Sequence, residues 1–333
     1  MIDTCDLLFG SDPMAAAAAV WALATLGFSL QTSRPSIPSR SRMQHPAIRA
    51  RVEMSSRGVV ITGGAGGVGY AYADSFLKRG HWVVICDVKD PSAAVASLQK
   101  KHEGGLGRIY GTVCDVSDAS SVEQLGDFAK DKLGTIHYWI NNAGINGGRR
   151  PFTTLTTNTI EAVVKVNLVG VLLCTKVALD VMQQQTGVTS HIFNTVGSGV
   201  KGGGTPGYVA YGATKRGLPQ MTDSLVKELT TGVPGFDVEK PRGTVNCHTL
   251  SPGMVFTDLL LNDSTPELRK FPFGVLAAQP DEVGEDLVPK ILDTTYARPC
   301  KLHAAAAIFS LTANVVCTTV AMANLSSFLR RIR

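Results

Sequence analysis

Three side chains in this sequence could act together on a carbonyl group: Ser198, Tyr211 and Lys215. Tyr211 and Lys215 are four residues apart, so on a helix they share a face, one turn from each other. Ser198 lies thirteen residues before the tyrosine, just past an apolar run, His191 to Val196, that reads as a strand. A loop hydroxyl can therefore face a Tyr/Lys pair on the helix that follows. A free phenol has a pKa of about 10, too high for easy proton exchange at neutral pH. A cation one turn away favours the phenolate and is expected to lower that value, toward the range useful for general acid–base work. The serine hydroxyl would polarise a carbonyl oxygen while a bound carrier delivered hydride. Tyr-x-x-x-Lys alone equally describes an amphipathic surface helix, so the surrounding elements must decide.

Those elements begin with Gly58-Val59-Val60-Ile61, a β-branched run that stops at Thr62-Gly63-Gly64-Ala65-Gly66-Gly67-Val68-Gly69, before a helical pattern from Tyr70 to Lys78. Strand, glycine turn and helix form a dinucleotide cradle: glycines admit the pyrophosphate, and free amides at the helix start bind its charge. The second strand, His81 to Cys86, ends at Asp87. An acid there accepts hydrogen bonds from both ribose hydroxyls and repels a 2′-phosphate. With no base in the glycine loop, this favours NADH over NADPH, Lys89 being the nearest cation. Arg108 to Cys114 reads as the third strand, leading to Asp115-Val116, and Ser117 or Asp118 could cap the helix up to Lys132. Ile136 to Ile140 is the fourth strand, followed by the small-residue turn Asn141-Asn142-Ala143-Gly144, expected along the cofactor. Thr159 to Gln184 reads as one long amphipathic helix containing Asn167, an amide that is costly to bury without partners. Gly243 to Leu250 is a further strand opening onto Ser251-Pro252-Gly253-Met254-Val255-Phe256-Thr257-Asp258. Thr231 to Arg242 reads as a surface loop, Leu259 to Gln279 as a mobile wall over the substrate, and Pro280 to Leu292 as a helix. Strands alternating with helices, phosphate loop first, predict an α/β fold: a Rossmann-type doubly wound parallel sheet.

Composition narrows the classes. With 44% hydrophobic and 18% charged residues most of the chain should fold as one domain, and a net charge of +5 without a basic stripe argues against nucleic acid. The cysteines are odd in number, lack Cys-x-x-Cys spacing and sit in apolar runs, which predicts buried thiols; the histidines show no ligand spacing, so no metal is expected. Residues 1–56 read as a leader. Gln31 to Val52 carries five arginines and many serines without an acid, like an organellar transit peptide, although a plain disordered tail has the same composition. The domain is expected over 57–298. In the final segment, 299–333, Ala304 to Leu329 has no charge and is followed by Arg330, Arg331 and Arg333. It is long enough to span a bilayer, but its Ser, Thr and Asn residues suit a helix at the membrane surface, or one packed on the domain.

The series Thr62-Gly-x-x-x-Gly-x-Gly69, Asp115-Val116, Asn141-Asn-Ala-Gly144, Asn167, Ser198, Tyr211-x-x-x-Lys215 and Pro252-Gly253 resembles the short-chain dehydrogenase/reductase family over roughly residues 57 to 295. The resemblance implies Asn167, Ser198, Tyr211 and Lys215 as the catalytic group. Asn167 would hold a water linking Lys215 to solvent, Lys215 would also grip the nicotinamide ribose, Tyr211 would donate the proton and Ser198 would bind the carbonyl oxygen. For NAD(P)H it implies Thr62, Gly63, Gly67, Val68 and Gly69 at the phosphates, Asp87 at the ribose, and Asp115 and Val116 at adenine. Asn142, Ala143 and Gly144, with Pro252, Gly253, Val255 and Thr257, complete the cofactor set. The stretches His191-Ile-Phe-Asn-Thr-Val-Gly-Ser-Gly199, Ala210-Tyr-Gly-Ala-Thr-Lys-Arg-Gly217 and Leu250-Ser-Pro-Gly-Met-Val-Phe-Thr-Asp-Leu-Leu-Leu261 are similar to the plastid chlorophyll(ide) b reductases. That implies reduction of the C7 formyl group of chlorophyll(ide) b to hydroxymethyl, in the chloroplast at the thylakoid surface, by a homo-oligomer. Another plastid carbonyl reductase, for example on 3-oxoacyl thioesters, or a non-catalytic NAD-binding protein would show the same residues.

Overall fold

A computed structural model of the chain describes residues 56–197, 204–237, 243–261, 277–294 and 301–303, with Ser264, Pro266 and Arg269. Ser198, almost all of the expected leader, the apolar run after His303, and most of the wall from Leu259 to Gln279 therefore lie outside the described residues. The elements run β1 (Gly58–Thr62), α1 (Gly67–Lys78), β2 (Trp82–Asp87), α2 (Ser92–Lys101), β3 (Arg108–Val113), α3 (Ala119–Leu133) and β4 (Tyr138–Asn141). A short 3-10 turn (Phe152–Thr154) leads to α4 (Thr157–Val164), a π turn (Lys165–Val169) and α5 (Gly170–Met182). There follow β5 (Thr189–Thr195), α6 (Val209–Thr231), β6 (Thr244–Ser251), α7 (Asp258–Leu261), α8 (Pro280–Leu292) and β7 (Lys301–His303). The seven strands form one sheet in the order β3-β2-β1-β4-β5-β6-β7, every pair parallel.

The pattern of side chains explains the layering. Val59, Val60 and Ile61 are all fully buried, because a parallel strand with helices on both sides buries consecutive residues. Val59, Ile61, Val83 and Ile85 pack with Phe76 of α1 and Leu287 and Ile291 of α8. Val60, Val84, Trp139 and Ile192 pack on the other side with Leu125 of α3 and Ala178 and Met182 of α5. Gly284 lets α8 lie directly on α1: a Cβ there would stand 2.6 Å from the carbonyl oxygen of Ala71. The expected cap of α3 resolves to Asp118, whose carboxylate accepts from Ser121 N at 2.9 Å. The run Thr157–Met182 is apolar and long enough to cross a membrane by composition, its most apolar 18 residues having a mean hydropathy of 1.9. Here it covers a sheet face, with Val163, Val171, Cys174 and Met182 turned inward.

Two expectations need correction. The single helix from Thr159 to Gln184 begins at Thr157, ends at Met182, and is broken by the π turn at Lys165–Val169. The domain boundary at Arg298 falls short, because Lys301–His303 pairs with Thr249–Ser251 as the seventh strand. Cys86, Cys114, Cys174 and Cys247 are buried free thiols, as expected.

Candidate active site

β1 and β4 are neighbours although not consecutive, and between their carboxyl ends the chain crosses to opposite sides of the sheet. A crevice must open there. It is a cleft of about 720 Å³ bounded by the glycine loop, Asp87, Asp115 and Val116, Asn142 to Ile145, and Thr257. The glycines are sterically required. Gly63 takes φ 64° with its missing Cβ 2.8 Å from Ala143 Cα, and a Cβ on Gly69 would stand 2.2 Å from the Gly63 carbonyl oxygen. Nothing lies within 4 Å of the place a Gly66 side chain would fill. No side chain caps α1, and no acid occupies its first turn. The first amides of that helix therefore point into the cleft without a protein partner on the cap, which is where a pyrophosphate binds. These residues fit a dinucleotide.

Asp87 stands where the sequence places it, at the end of β2 and in the cleft wall. Its Oδ2 accepts from Ala65 N and its Oδ1 from Lys89 N, each at 3.3 Å, so the acid also braces the glycine loop. Lys89 itself is exposed. Thr62 has a different role from the one expected. Its Oγ1 accepts from Asn142 N at 3.0 Å and Ala143 N at 3.1 Å, strapping the end of β1 to the turn after β4. The Asn142 amide completes the strap by donating to the carbonyl oxygens of Thr62 and Gly63. Thr257 lines the cleft, whereas Val255 is buried in the core, its backbone bridged to Ala278. Pro252 and Gly253 lie on the turn after β6, outside the cleft wall.

The cleft ends at Gly144 and Ile145, where Asn167 and Lys215 begin. A Cβ on Gly144 would lie 3.1 Å from Asn167 Oδ1 and 3.5 Å from Lys215 Nζ. The π turn inserts a residue into the helix and turns Asn167 inward, fully buried. Its Oδ1 accepts from Ile145 N at 2.9 Å while its Nδ2 donates to Ile145 O at 2.7 Å. The burial penalty anticipated for this amide is thus met by backbone. On α6, Lys215 is buried with its Nζ donating to the carbonyl oxygen of Thr195 at 3.0 Å and standing 6.0 Å from the ring centre of Tyr211. A Cβ on Gly197 would stand 2.6 Å from the Tyr211 hydroxyl oxygen, so the end of β5 is packed against the phenol.

The electrostatics differ from the sequence expectation. Burial, followed by the neighbouring Tyr208, pushes the Tyr211 phenol up to about 12. Burial pulls the Lys215 ammonium down to about 8. Desolvation disfavours the charged form of both groups. Tyr211 is therefore a protonated phenol at neutral pH, the state needed to give up a proton rather than to take one. Sequence reasoning missed Thr195 and Ile145, which act only through backbone atoms and so leave no residue-type signal. It also placed Asn141 with the cofactor turn. Asn141 is buried instead in a polar network, accepting from Trp139 Nε1 at 2.9 Å and donating to Asn194 Oδ1 at 2.8 Å.

A family model described as short chain dehydrogenase matches residues 57–267. The chain is 40% identical over 252 residues to the probable chlorophyll(ide) b reductase NYC1, chloroplastic, of Oryza sativa subsp. japonica, covering 71% of this chain and 47% of that protein. It is 39% identical over 234 residues to the chlorophyll(ide) b reductase NOL, chloroplastic, of the same organism, covering 70% of this chain and 66% of the other. The chain thus matches about half of one relative and about two-thirds of the other. An alcohol dehydrogenase from the archaeon Thermococcus sibiricus, complexed with 5-hydroxy-NADP, superposes with a TM-score of 0.58 at 19% identity, over 75% of this chain and 97% of that one. That likeness speaks for the fold alone.

Proposed function

From the premise that the chain belongs to the short chain dehydrogenase family and is an NAD(P)-binding oxidoreductase, we propose that it reduces the C7 formyl group of chlorophyll(ide) b to hydroxymethyl. The observation that carries the reading is the approach of Asn167 and Lys215, with Tyr211 beside the lysine, to Gly144 in the wall of the cleft bounded by the glycine loop. The names of the similar rice proteins support the substrate. NAD(P)H, when bound, supplies hydride to the carbonyl carbon. The protein's own part is to hold the substrate oxygen and protonate it. In this reading Tyr211 gives its phenolic proton to that oxygen, and Ser198, next in sequence to the Gly197 that touches the phenol, donates a hydrogen bond to it. Lys215, cationic at neutral pH, stabilises the negative charge the phenol acquires, and Asn167 holds the β4 loop that walls the pocket. Asp87 favours NADH.

Chloroplast names among the relatives support a chloroplast setting, and we assign the protein to the thylakoid surface as a homo-oligomer. The uncharged run after His303 supplies the membrane contact. Because β7 ends at His303, a chain cut there keeps the whole sheet. It should stay folded and stop sedimenting with thylakoid vesicles; equal sedimentation of both forms would exclude that anchor. The activity test uses purified full-length protein with NADH or NADPH, offered chlorophyllide b and, separately, a 3-oxoacyl thioester. Appearance of the hydroxymethyl pigment is expected. Turnover of the thioester alone would replace this substrate with the other.

A further inference from the structure

β4 hands the chain to a loop that forms one side of the active-site mouth. Ile145 is tied to Asn167, and the Asn146 amide donates to the carbonyl oxygen of Leu259 across the cleft. Gly147 and Gly148, at φ 74° and 83°, then turn the chain outward. Only residues without a Cβ take two such conformations in succession easily, and a side chain on Gly147 would collide with Val163 of α4, 2.7 Å away. The turn delivers Arg149 and Arg150. Arg150 N donates to the carbonyl oxygen of Gly207 at 3.3 Å. The Arg149 stem lies across Gly207 itself, where an added Cβ would stand 2.8 Å from its Cγ. The next residue is Tyr208, whose ring meets that of Tyr211 edge-on, centroids 6.1 Å apart. The Arg149 side chain is thereby held one residue away from the tyrosine that packs on the proton donor, and the Arg150 backbone is tied to the same glycine.

Both arginines are exposed, and neither side chain has an ion pair or hydrogen bond among the described residues. Ile145 and Leu259 of the cleft wall are exposed by 37% and 40%, and Phe152, two residues after Arg150, and Val209, next to Tyr208, by 50% each. The opposite wall carries Asp258 beside Leu259. An apolar rim with two unpaired guanidinium groups on one side and a carboxylate on the other suits a flat apolar molecule with an anion at one edge, and sets which edge faces the arginines. Guanidinium forks bind carboxylates in a bidentate manner that an ester cannot reproduce.

We infer that Arg149 and Arg150 form a clamp for a carboxylate of the substrate. Resting on the function proposed above, that carboxylate is the free propionate of chlorophyllide b, and the preferred substrate is the free acid rather than an ester. Gly207 is a positioning residue, leaving room for the Arg149 stem.

The test compares chlorophyllide b with its propionate methyl ester, using the full chain and the double variant Arg149→Gln/Arg150→Gln. Wild type should favour the acid in kcat/KM, mainly through KM, and the double variant should reduce that acid-to-ester ratio by about tenfold, the scale of one lost charge-assisted contact. Fluorescence titration of chlorophyllide b should show the same loss of affinity, and titration with the nicotinamide coenzyme should show no change, confirming that the variant is folded. Turnover of both pigments with the same ratio in both proteins would overturn the clamp and leave the proposed reaction standing. Failure of wild type to bind or reduce either pigment, with coenzyme still bound, would overturn the proposed reaction and the clamp together.

Discussion

Tyr211 and Lys215 were legible because helical geometry puts residues four apart on one face whatever the rest of the fold does. Their ionisation was not legible, since it depends on burial, which spacing does not encode. The sequence reading expects the lysine to pull the phenol down; the folded site holds the phenol at about 12 and the ammonium at about 8. This has a consequence for the pH profile of reduction. At pH 7 the phenol is protonated and the lysine carries its charge, so the donor and its electrostatic support are both in place. As pH rises through about 8 the lysine loses its proton, while the phenol keeps its own. We expect kcat/KM for reduction to be level near neutrality and to fall with a single ionisation above about pH 8. Lys215→Met should lower the rate and remove that alkaline limb, and Tyr211→Phe should cost about 10²–10⁴-fold with coenzyme binding kept, the usual range for a lost general acid. A profile that stays level to pH 10, or a phenylalanine variant of undiminished rate, would remove these two residues from the assigned roles. Thr62 shows another limit of residue reading: a hydroxyl in a binding motif also accepts from the backbone amides of Asn142 and Ala143, which residue type does not announce.

At the scale of elements, the strands were readable as short β-branched runs and differ from expectation by a residue or two at their ends. β7 was not, because Lys301–His303 has no apolar run and is a strand only through its pairing with Thr249–Ser251. The π turn was also hidden, since an inserted residue leaves the composition of a helix unchanged; its result is visible in the two bonds that fix Asn167 to Ile145. The β1–α1–β2 unit carries the coenzyme prediction. Asp87 ends β2 facing the loop before α1, close enough to bond Ala65 N, while Gly66 and Gly67 offer no base. A 2′-phosphate would be brought against that carboxylate with only the exposed Lys89 nearby. The expected outcome is a higher kcat/KM with NADH than with NADPH, and a shift toward NADPH in Asp87→Ala. A wild-type preference for NADPH that Asp87→Ala leaves unaltered would show that the acid serves the loop brace alone.

For the whole molecule, the order of phosphate loop, acid-terminated strand and Tyr/Lys helix was enough to foresee one doubly wound sheet, because parallel strands need helical crossovers and so admit few arrangements. What the order could not foresee is a set of histidines packed along that sheet. His191 Nδ1 and His248 Nε2 are 2.9 Å apart, both rings buried and stacked with Phe193. That contact needs an N–H on one ring and a bare nitrogen on the other, so the two rings cannot both be protonated. His81 and His137 each accept a backbone N–H through Nδ1, from Arg57 and Gly58, which a protonated ring cannot do. Burial, with Arg57 contributing, holds His81, His137 and His191 down at about 4; burial and then His191 hold His248 at about 3. All four values lie below the unfolded value of about 6.5, so between the two limits the unfolded chain binds more protons than the folded one. Their stabilisation is therefore complete above about pH 6.5 and is lost as pH falls toward 4. The carboxylates of Asp74 and Glu285 are held low by Lys101 and His102 and by Arg79 and Lys78, so their contribution is lost only below the ordinary carboxylate range. The interval from pH 6.5 to 5 thus isolates the histidines. Over it the urea midpoint should fall steadily, and His81→Asn/His137→Asn, which keeps an acceptor for each backbone N–H but cannot be protonated, should flatten the fall. A midpoint that does not move between pH 7 and 5 would mean that these rings take up protons in the folded sheet as readily as in the unfolded chain.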